Sequence, residues 1–206
     1  SRGLGAVNRL RLIEGVEIKG LCDIVKERVD SAQELLKEMN MPPAKSYYRN
    51  EEIWKEMCQD PDLDLIYIVT PRTLHAEICI FSMENGKHAA TEVPAVRKFE
   101  DTWRLVETSE RTKKHCCILE NCTYDFWALL NLNMARQGFY GEVIHADVGY
   151  LHDLREHNVI KGGWRIDEYM ERDGSLYPTH GLGPACQVLN INRGDRLDYL
   201  TSVSSD

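Results

Sequence analysis

Short apolar segments alternate with amphipathic segments along the first 137 residues of the chain. In the amphipathic segments, apolar side chains recur at the spacing of one helix face, as Val29, Ala32 and Leu36 do. The pattern predicts strands over residues 16–24, 63–70, 88–92 and 115–120, and helices over residues 3–12, 27–39, 51–58, 74–85, 100–113 and 124–137. We expect the proline pair at 42–43 to end the second helix and Gly86 to end the fourth. Strands and helices that alternate in this way predict an α/β fold, with a parallel sheet covered by helices.

The pattern changes after Gly141. Residues 142–150 predict one longer strand, residues 151–175 are polar and irregular, residues 177–190 predict a loop leading into a helix, and residues 197–204 predict a last strand. Fewer than about three strands do not make a stable sheet in water. We therefore expect a complete first domain over residues 1–122, apart from its first strand, and an incomplete α/β open-sheet domain over residues 123–206.

Composition and charge exclude several classes of protein. The 206 residues include 33 acidic and 25 basic side chains, a net charge of −8, and no basic stripe, so we expect no nucleic-acid partner. No run of about 18 apolar residues is present, so we expect no membrane span. The seven cysteines are odd in number and lack CxxC spacing, which argues against a disulfide framework or a zinc ribbon and favours folding in a reducing compartment. No signal peptide is visible, and the start at Ser1 without methionine leads us to expect an upstream segment.

Gly3 and Asp23 fit part of a dinucleotide-binding fingerprint. That fingerprint places G-x-G-x-x-G between a strand and a helix, with an acidic residue about 20 residues further on. Gly3 fits the last glycine and Asp23 the acid, whereas the first strand and the first two glycines would precede Ser1. The helix start would bind a pyrophosphate, and Asp23 would bind the ribose hydroxyls and favour NAD over NADP. An ordinary helix start and a turn aspartate fit these two residues equally well.

Polar residues lie at the carboxyl ends of the predicted strands. They are Asp23, Thr70 with Pro71, the segment 92–94 and the pair 120–121. In open α/β sheets, ligands bind at the carboxyl ends of the strands. A single polar residue there is often only a helix cap or a turn, but four consecutive strand ends predict a shared site.

Two later clusters carry groups for proton transfer. The segment Tyr-Pro-Thr-His-Gly at 177–181 offers a tyrosine and a histidine beside a predicted helix start, and Tyr150, His152, Asp153 and Arg155 follow the predicted strand over 142–150. Histidine and tyrosine both serve as acids and bases. A helix cap at Thr179 and a solvated loop at 150–155 explain the same residues without chemistry. None of the seven histidines has HxH or HxxxH spacing, so we expect no metal site.

Several segments together resemble glycoside hydrolase family 109 of the Gfo/Idh/MocA oxidoreductase superfamily. They are TEVPA at 91–95, ENC at 120–122, GYLHDLR at 149–155, GWR at 163–165, LYPTHGLGP at 176–184 and NINRGD at 190–195. The superfamily usually carries Glu-Lys-Pro at the end of the fifth strand, with the lysine in catalysis. Val93 stands in the place of that lysine, which counts against an ordinary sugar dehydrogenase.

The resemblance implies roles for individual residues. Cofactor contacts would come from Ser1, Arg2, Gly3, Asp23, Thr70, Arg72, His75, Glu92, Val93, Asn121, Arg165 and Tyr177. The sugar site would be lined by Glu120, Tyr150, Tyr177, Pro178, Thr179 and His180, and the catalytic candidates are Glu120, Tyr150, Tyr177 and His180. Which of these groups moves which proton stays open.

The resemblance also implies an activity: NAD-dependent removal of terminal α-N-acetylgalactosamine from a carbohydrate. Such glycosidases depart from the paired-carboxylate scheme. In their scheme, sugar C3 is oxidised, the C2 proton leaves, the group on C1 is eliminated, water adds, and C3 is reduced again. Two alternatives are a conventional NAD(P)-dependent sugar oxidoreductase and a non-catalytic NAD-binding domain. The resemblance implies a bacterial protein, and it leaves homo-oligomer formation and export to the periplasm or cell surface open.

Overall fold

In the computed structural model, the chain folds into two compact units, Ser1–Leu119 and Glu120–Asp206. The structure describes residues 2–156, 165–171 and 175–203. The first unit alternates helices and strands, which confirms the α/β class. Its elements are α1 (Arg2–Leu10), β1 (Gly20–Cys22), α2 (Lys26–Glu38), β2 (Lys45–Tyr47), α3 (Ile53–Gln59), β3 (Leu65–Ile68), α4 (His75–Glu84), β4 (His88–Thr91), α5 (Phe99–Thr112) and β5 (Cys116–Ile118).

The strands of the first unit form two parallel ladders, not the single sheet that the pattern predicts. β1 pairs with β2, and β4 lies between β3 and β5. In a doubly wound sheet with strand order 3-2-1-4-5-6, the first strand lies between the two halves. The two ladders match the halves 3-2 and 4-5-6 of that order.

Each ladder has its own apolar core. Val29 and Leu36 of α2 pack in one cluster with residues of α1 and β1. Ile66 and Ile68 of β3 pack in a second cluster with residues of α3, α4, β4 and α5. Helix α4 is buried along most of its length, and Met83 within it is 1% exposed. This burial fixes the carboxyl ends of β3 and β4, where polar residues follow the strands.

Residues in the left-handed region end two of the helices. Asn40 has a φ of 54°, and the amide of Met41 donates to the carbonyl of Leu36 at 2.9 Å, which closes the last turn of α2. The prediction that the proline pair ends this helix is wrong, because α2 ends at Glu38, before the pair at 42–43. Gly86, with a φ of 78°, follows α4 as predicted.

A half-buried carboxylate joins the end of α3 to β2. Asp60 accepts hydrogen bonds from Lys45 Nζ at 2.7 Å and from the Tyr47 hydroxyl at 2.5 Å. The hydrogen bonds from Lys45 and Tyr47 lower the pKa of Asp60 well below its usual range. Burial and the neighbouring carboxylate raise the pKa of Tyr47 to about 12. A carboxyl group whose pKa is depressed by folding stabilises the folded state above its unfolded pKa.

We expect Asp60→Asn to lower the melting temperature at neutral pH, because the amide cannot hold the same ionic hydrogen bonds. The difference from wild type should narrow as the pH falls below the unfolded pKa of about 3.9 and towards the depressed native value. Thermal melts of the full-length protein between pH 7 and pH 3 measure this, with Asp62→Asn as the control for loss of a nearby surface charge. If the difference in melting temperature between the variant and wild type stays constant over that range, the ion pair of Asp60 does not stabilise the fold.

The second unit contains helices but no strand within its described residues. Its elements are a 3₁₀ turn (Cys122–Tyr124), α6 (Phe126–Arg136), α7 (Arg165–Glu171) and α8 (Thr179–Val188). The strand predicted over residues 142–150 is absent, and so is the one predicted over 197–204 as far as residue 203. An extended segment becomes a strand only where a neighbour completes its hydrogen bonds, and the described residues provide none here. Helix α7 lies in the range predicted to be irregular.

The structure contains neither a disulfide nor, in its described part, a membrane-spanning helix. All seven cysteines are outside disulfides in the structure. Among the described residues, none of the helices combines the length and the apolar character needed to cross a membrane.

Candidate functional site

Asp23 lies directly after β1 and precedes α2. Its Oδ1 accepts the amide of Val25 at 2.9 Å and lies 3.5 Å from Arg28 Nη1. Its own amide donates to the carbonyl of Tyr47 at 3.2 Å and so continues the β1–β2 pairing. The side chain remains 30% exposed. Asp23 is therefore held in a fixed orientation at the strand end where the fingerprint places a ribose-binding acid.

His75 links the loops that follow β3 and β4. The side chain is 2% exposed. Its Nε2 lies 2.9 Å from the carbonyl oxygen of Thr70, and its Nδ1 lies 2.8 Å from that of Pro94. Both ring nitrogens face backbone carbonyls, so the imidazole lies between the two loops, and a ring with a single N–H donates to one of the two carbonyls.

A bidentate ion pair lies between the first turn of α1 and the end of β4. Arg2 Nε and Nη2 donate to the two carboxylate oxygens of Glu92 at 2.9 and 3.2 Å. The Glu92 side chain is 11% exposed. Val93, where the superfamily usually has lysine, is 8% exposed. The pair brings together two segments that the resemblance assigns to the cofactor.

The residues at this edge of the first unit fit a dinucleotide. Thr70 Oγ1 is buried and has no hydrogen-bond partner among the residues that the structure describes. A buried hydroxyl without a partner is costly unless a ligand or water completes it. Arg72, two residues further along the chain, is 6% exposed. Gly3 lies in the first turn of α1, whose backbone amides suit a pyrophosphate, whereas Ser1 lies outside the described residues.

Glu120 begins the second unit with every acceptor position in use. Its Oε1 accepts the amide of Cys122 at 3.0 Å and faces His180 Nδ1 at 2.5 Å. Its Oε2 accepts the amide of Thr123 at 2.7 Å and the hydroxyl of the same residue at 2.5 Å. A carboxylate has about four lone-pair positions. In this arrangement Glu120 has no acceptor left for a sugar hydroxyl, which was its expected role.

The environment keeps Glu120 charged. Burial raises the pKa of this carboxyl, but the hydrogen bonds from Thr123, His180 and the two backbone amides outweigh it, and the pKa is lowered. An ionised carboxylate only accepts hydrogen bonds, so Nδ1 of His180 must carry the proton that it donates. The Nε2 atom of a neutral His180 then has a free lone pair. This is the arrangement of an imidazole prepared to act as a base.

Two tyrosine rings surround His180, which is 7% exposed. The Tyr150 ring centroid lies 4.3 Å from the imidazole, and the Tyr177 ring stacks on it at 5.4 Å with an angle of 16°. The two tyrosine rings lie 6.3 Å apart. His152 also contacts Tyr150, at 4.3 Å. The structure therefore brings together all four catalytic candidates of the sequence analysis, since Glu120 reaches the same imidazole.

The remaining predicted residues of this unit are less fully defined. Asn121 is exposed, and its Nδ2 lies 3.6 Å from the sulfur of Cys122. Pro178 precedes α8 and is exposed. Thr179, the first residue of α8, has a buried hydroxyl without a partner among the described residues. Arg165 begins α7, and its side chain lies outside the described part of the chain.

Sequence reasoning missed two residues that build this site. Thr123 supplies two of the four hydrogen bonds to Glu120. Gly183 of α8 leaves room for them: a Cβ atom there would lie 2.5 Å from Thr123 Oγ1 and 2.9 Å from Glu120 Oε2. The three-residue spacing between Glu120 and Thr123 is a sequence signal for Thr123. Nothing in the sequence alone signals Gly183, because the need for a glycine there arises from the packing of α8 on the turn after Glu120.

Two family models match consecutive parts of the chain. The model of an oxidoreductase family with an NAD-binding Rossmann fold, Gfo/Idh/MocA, matches residues 4–119. The model of the glycosyl hydrolase 109 C-terminal domain matches residues 124–206. Together they span nearly all of the chain.

Curated relatives agree with both models. A glycosyl hydrolase family 109 protein of Porphyromonas gingivalis is 47% identical over 205 residues, which are 99% of this chain and 44% of that protein. An alpha-N-acetylgalactosaminidase of Bacteroides fragilis is 47% identical over 212 residues, covering all of this chain and 50% of that protein. The chain thus spans about half the length of the curated relatives it matches.

Solved structures support the fold. An NAD-binding protein from Listeria innocua is 25% identical, with a TM-score of 0.58 over 82% of this chain and 47% of that one. A scyllo-inositol dehydrogenase from Lactobacillus casei, solved with NAD(H) and scyllo-inositol, is 18% identical, with a TM-score of 0.58 over 68% of this chain and 39% of that one. The Rossmann architecture of the first unit is confirmed by these likenesses.

Proposed function

The chain belongs to the Gfo/Idh/MocA oxidoreductase family, with the C-terminal domain of glycosyl hydrolase family 109, and we propose that the full-length protein removes terminal α-N-acetylgalactosamine from carbohydrates in an NAD-dependent reaction. The observation that carries this proposal is the Glu120–His180 pair flanked by Tyr150 and Tyr177. It offers one base within an aromatic surface, and not the two separated carboxyl groups of most glycosidases.

The first unit is the NAD-binding domain. The described residues of this unit that would hold or shape the cofactor site are Arg2, Gly3, Asp23, Thr70, Arg72, His75, Glu92 and Val93. Bound NAD supplies a hydride acceptor and donor for the sugar. Asp23 favours NAD over NADP, because its carboxylate repels a 2′-phosphate.

The second unit supplies proton transfer and sugar binding. His180 Nε2 accepts a proton from the sugar, while Glu120 holds the imidazole through Nδ1 and stabilises the charge that develops on it. The faces of Tyr150 and Tyr177 bind the apolar side of the sugar ring, and the hydroxyl of Thr179 is available for a polar contact. Which sugar proton His180 accepts, on C2 or on the C3 hydroxyl, is the finer part of the proposal, and we favour C2. The reason is that a carbon acid beside a ketone needs a positioned base, whereas a hydroxyl exchanges its proton more readily.

The test uses the full-length protein, an aryl α-N-acetylgalactosaminide and substoichiometric NAD. We expect release of the aryl group over many turnovers without net NADH, and deuterium at C2 of the released sugar when the reaction runs in D₂O. A conventional oxidoreductase, which Val93 argues against, would accumulate NADH without cleavage. A non-catalytic domain would do neither. Full cleavage with the C2 hydrogen retained would exclude the proposed route, unless the same base returns the proton, and a substrate deuterated at C2 tests that by whether the label survives in ordinary water.

A further inference from the structure

Three different ligand types converge within the second unit. Glu120, Cys122 and His180 each place one ligand atom so that all three atoms lie within 4.8 Å of one another. The side chains of Glu120 and His180 are 8% and 5% exposed, and Cys122 is half-buried. The histidine spacing predicted no metal site. That prediction considered only pairs of histidines, whereas this cluster combines one histidine with a glutamate and a cysteine.

The ligand set is that of a thiophilic divalent cation. Zn²⁺ binds thiolate sulfur at about 2.3 Å, imidazole nitrogen at about 2.0–2.1 Å and carboxylate oxygen at about 2.0–2.2 Å, often with water in the fourth position. Mg²⁺ and Ca²⁺ prefer oxygen ligands and are disfavoured by the sulfur. In a tetrahedral site of this size the ligand atoms lie about 3.5 Å apart. The 2.5 Å distance between His180 Nδ1 and Glu120 Oε1 would therefore have to open by about 1 Å.

We propose that Glu120, Cys122 and His180 form a binding site for Zn²⁺ or a similar thiophilic cation, and that the bound cation inhibits the enzyme. Cys122 loses its thiol proton to solvent, and its sulfur binds the metal as a thiolate. The Nδ1 atom of His180 binds the metal through its lone pair, so the single ring proton of the neutral imidazole must then lie on Nε2. Binding of the cation replaces the hydrogen bond between His180 Nδ1 and Glu120 with bonds from both residues to the metal. The ring proton of His180 then lies on Nε2 in place of Nδ1.

That reversal removes the base. Without metal, Nδ1 carries the proton and Nε2 has the lone pair that accepts a proton from the sugar. With metal, Nε2 becomes a donor and cannot accept. The binding part of the proposal stands on the three side chains alone, whereas the inhibition part rests on the proposed function.

Co²⁺ is the probe for binding, because a cobalt–thiolate bond gives a charge-transfer absorption band. The full-length protein, loaded with NAD, cleared of metal and kept reduced, is titrated with Co²⁺ and then with competing Zn²⁺. We expect one equivalent of Co²⁺ to produce the band in wild type and in Cys186→Ser, which changes another half-buried cysteine of the same unit. We expect Cys122→Ser to lose the band and to weaken Zn²⁺ binding by at least about tenfold.

The results separate the two proposals. No band, or a band that Cys122→Ser retains, would overturn the site. If the band depends on Cys122, each variant's activity with Zn²⁺ is compared with its own activity without metal. Strong inhibition of wild type and Cys186→Ser, with weaker inhibition of Cys122→Ser, supports the tautomer mechanism. Equal inhibition of all three overturns it. A Cys122-dependent band in a protein without glycosidase activity would leave the site standing and refute the proposed function.

Discussion

Replacing His180 with glutamine is expected to lower kcat by about 10²–10⁴-fold, the usual contribution of a general acid or base. Glutamine can still occupy the space between Tyr150 and Tyr177, but it offers no lone pair that takes a proton near neutral pH. NAD binding should be unchanged. Steady-state kinetics and a calorimetric titration with NAD measure the two effects, and His145→Gln, an exposed histidine of the same unit, is the matched control. Near-normal kcat in the His180 variant would remove this residue from catalysis.

Glu120→Gln distinguishes positioning from substrate contact. Because its four acceptor positions are used within the protein, Glu120 should not touch the sugar, and the variant should lose kcat with little change in KM. A large rise in KM would show that Glu120 binds the sugar directly, as the sequence analysis expected. The lowered pKa adds a second consequence: the wild-type carboxylate should remain charged as the pH falls through its ordinary value of about 4.3. Loss of activity above that pH must come from another group.

Gly183→Ala is expected to cost about 10²-fold in kcat without changing any chemical group of the site. The added methyl carbon would lie 2.5 Å from Thr123 Oγ1, so either α8 or the Thr123–Glu120 hydrogen bond must shift. Overpacking of this kind also costs about 1–3 kcal/mol of stability. That loss opposes the gain of up to about 1 kcal/mol that alanine normally brings to a helix interior.

Gly181→Ala is the matched control for this prediction. It lies two residues earlier in α8, and its new Cβ would meet Val148 Cγ2 at 3.4 Å, an ordinary contact distance. We expect it to keep most of the activity and to melt at or above the wild-type temperature. Kinetics and thermal melts of both variants give the comparison. Equal behaviour of the two variants would mean that the close approach of α8 to Glu120 does not matter.

The sequence was most informative where local pattern decides structure. The buried segment of β3 and the amphipathic face of α2 were recognisable, because strand and helix periodicity depend on neighbouring residues. β2 was missed, since Lys45–Tyr47 is short and polar and becomes a strand through its pairing with β1. Residues 142–150 show the opposite error. Their composition suits a strand, but a strand also needs a partner.

The candidate site shows the same limit at longer range. His180 and Glu120 lie 60 residues apart in sequence, and each was singled out for its position in a motif. Neither motif shows that one carboxylate oxygen faces the imidazole, or that Thr123 saturates the other. That information lies in how α8 packs on the turn after Glu120. The family resemblance supplied the residue types, and the structure supplied the contact between Glu120 and His180 from which the tautomer follows.

The ion pair between Arg2 and Glu92 also has a consequence for the order of folding. It spans 90 residues of chain, whereas each parallel strand pair spans a single crossover. Closing a long loop costs more entropy, and contacts of large sequence separation tend to form late. An interaction absent from the transition state affects the rate of unfolding and leaves the rate of folding nearly unchanged. Loss of this pair should therefore shorten the lifetime of the folded first unit more than it delays its formation.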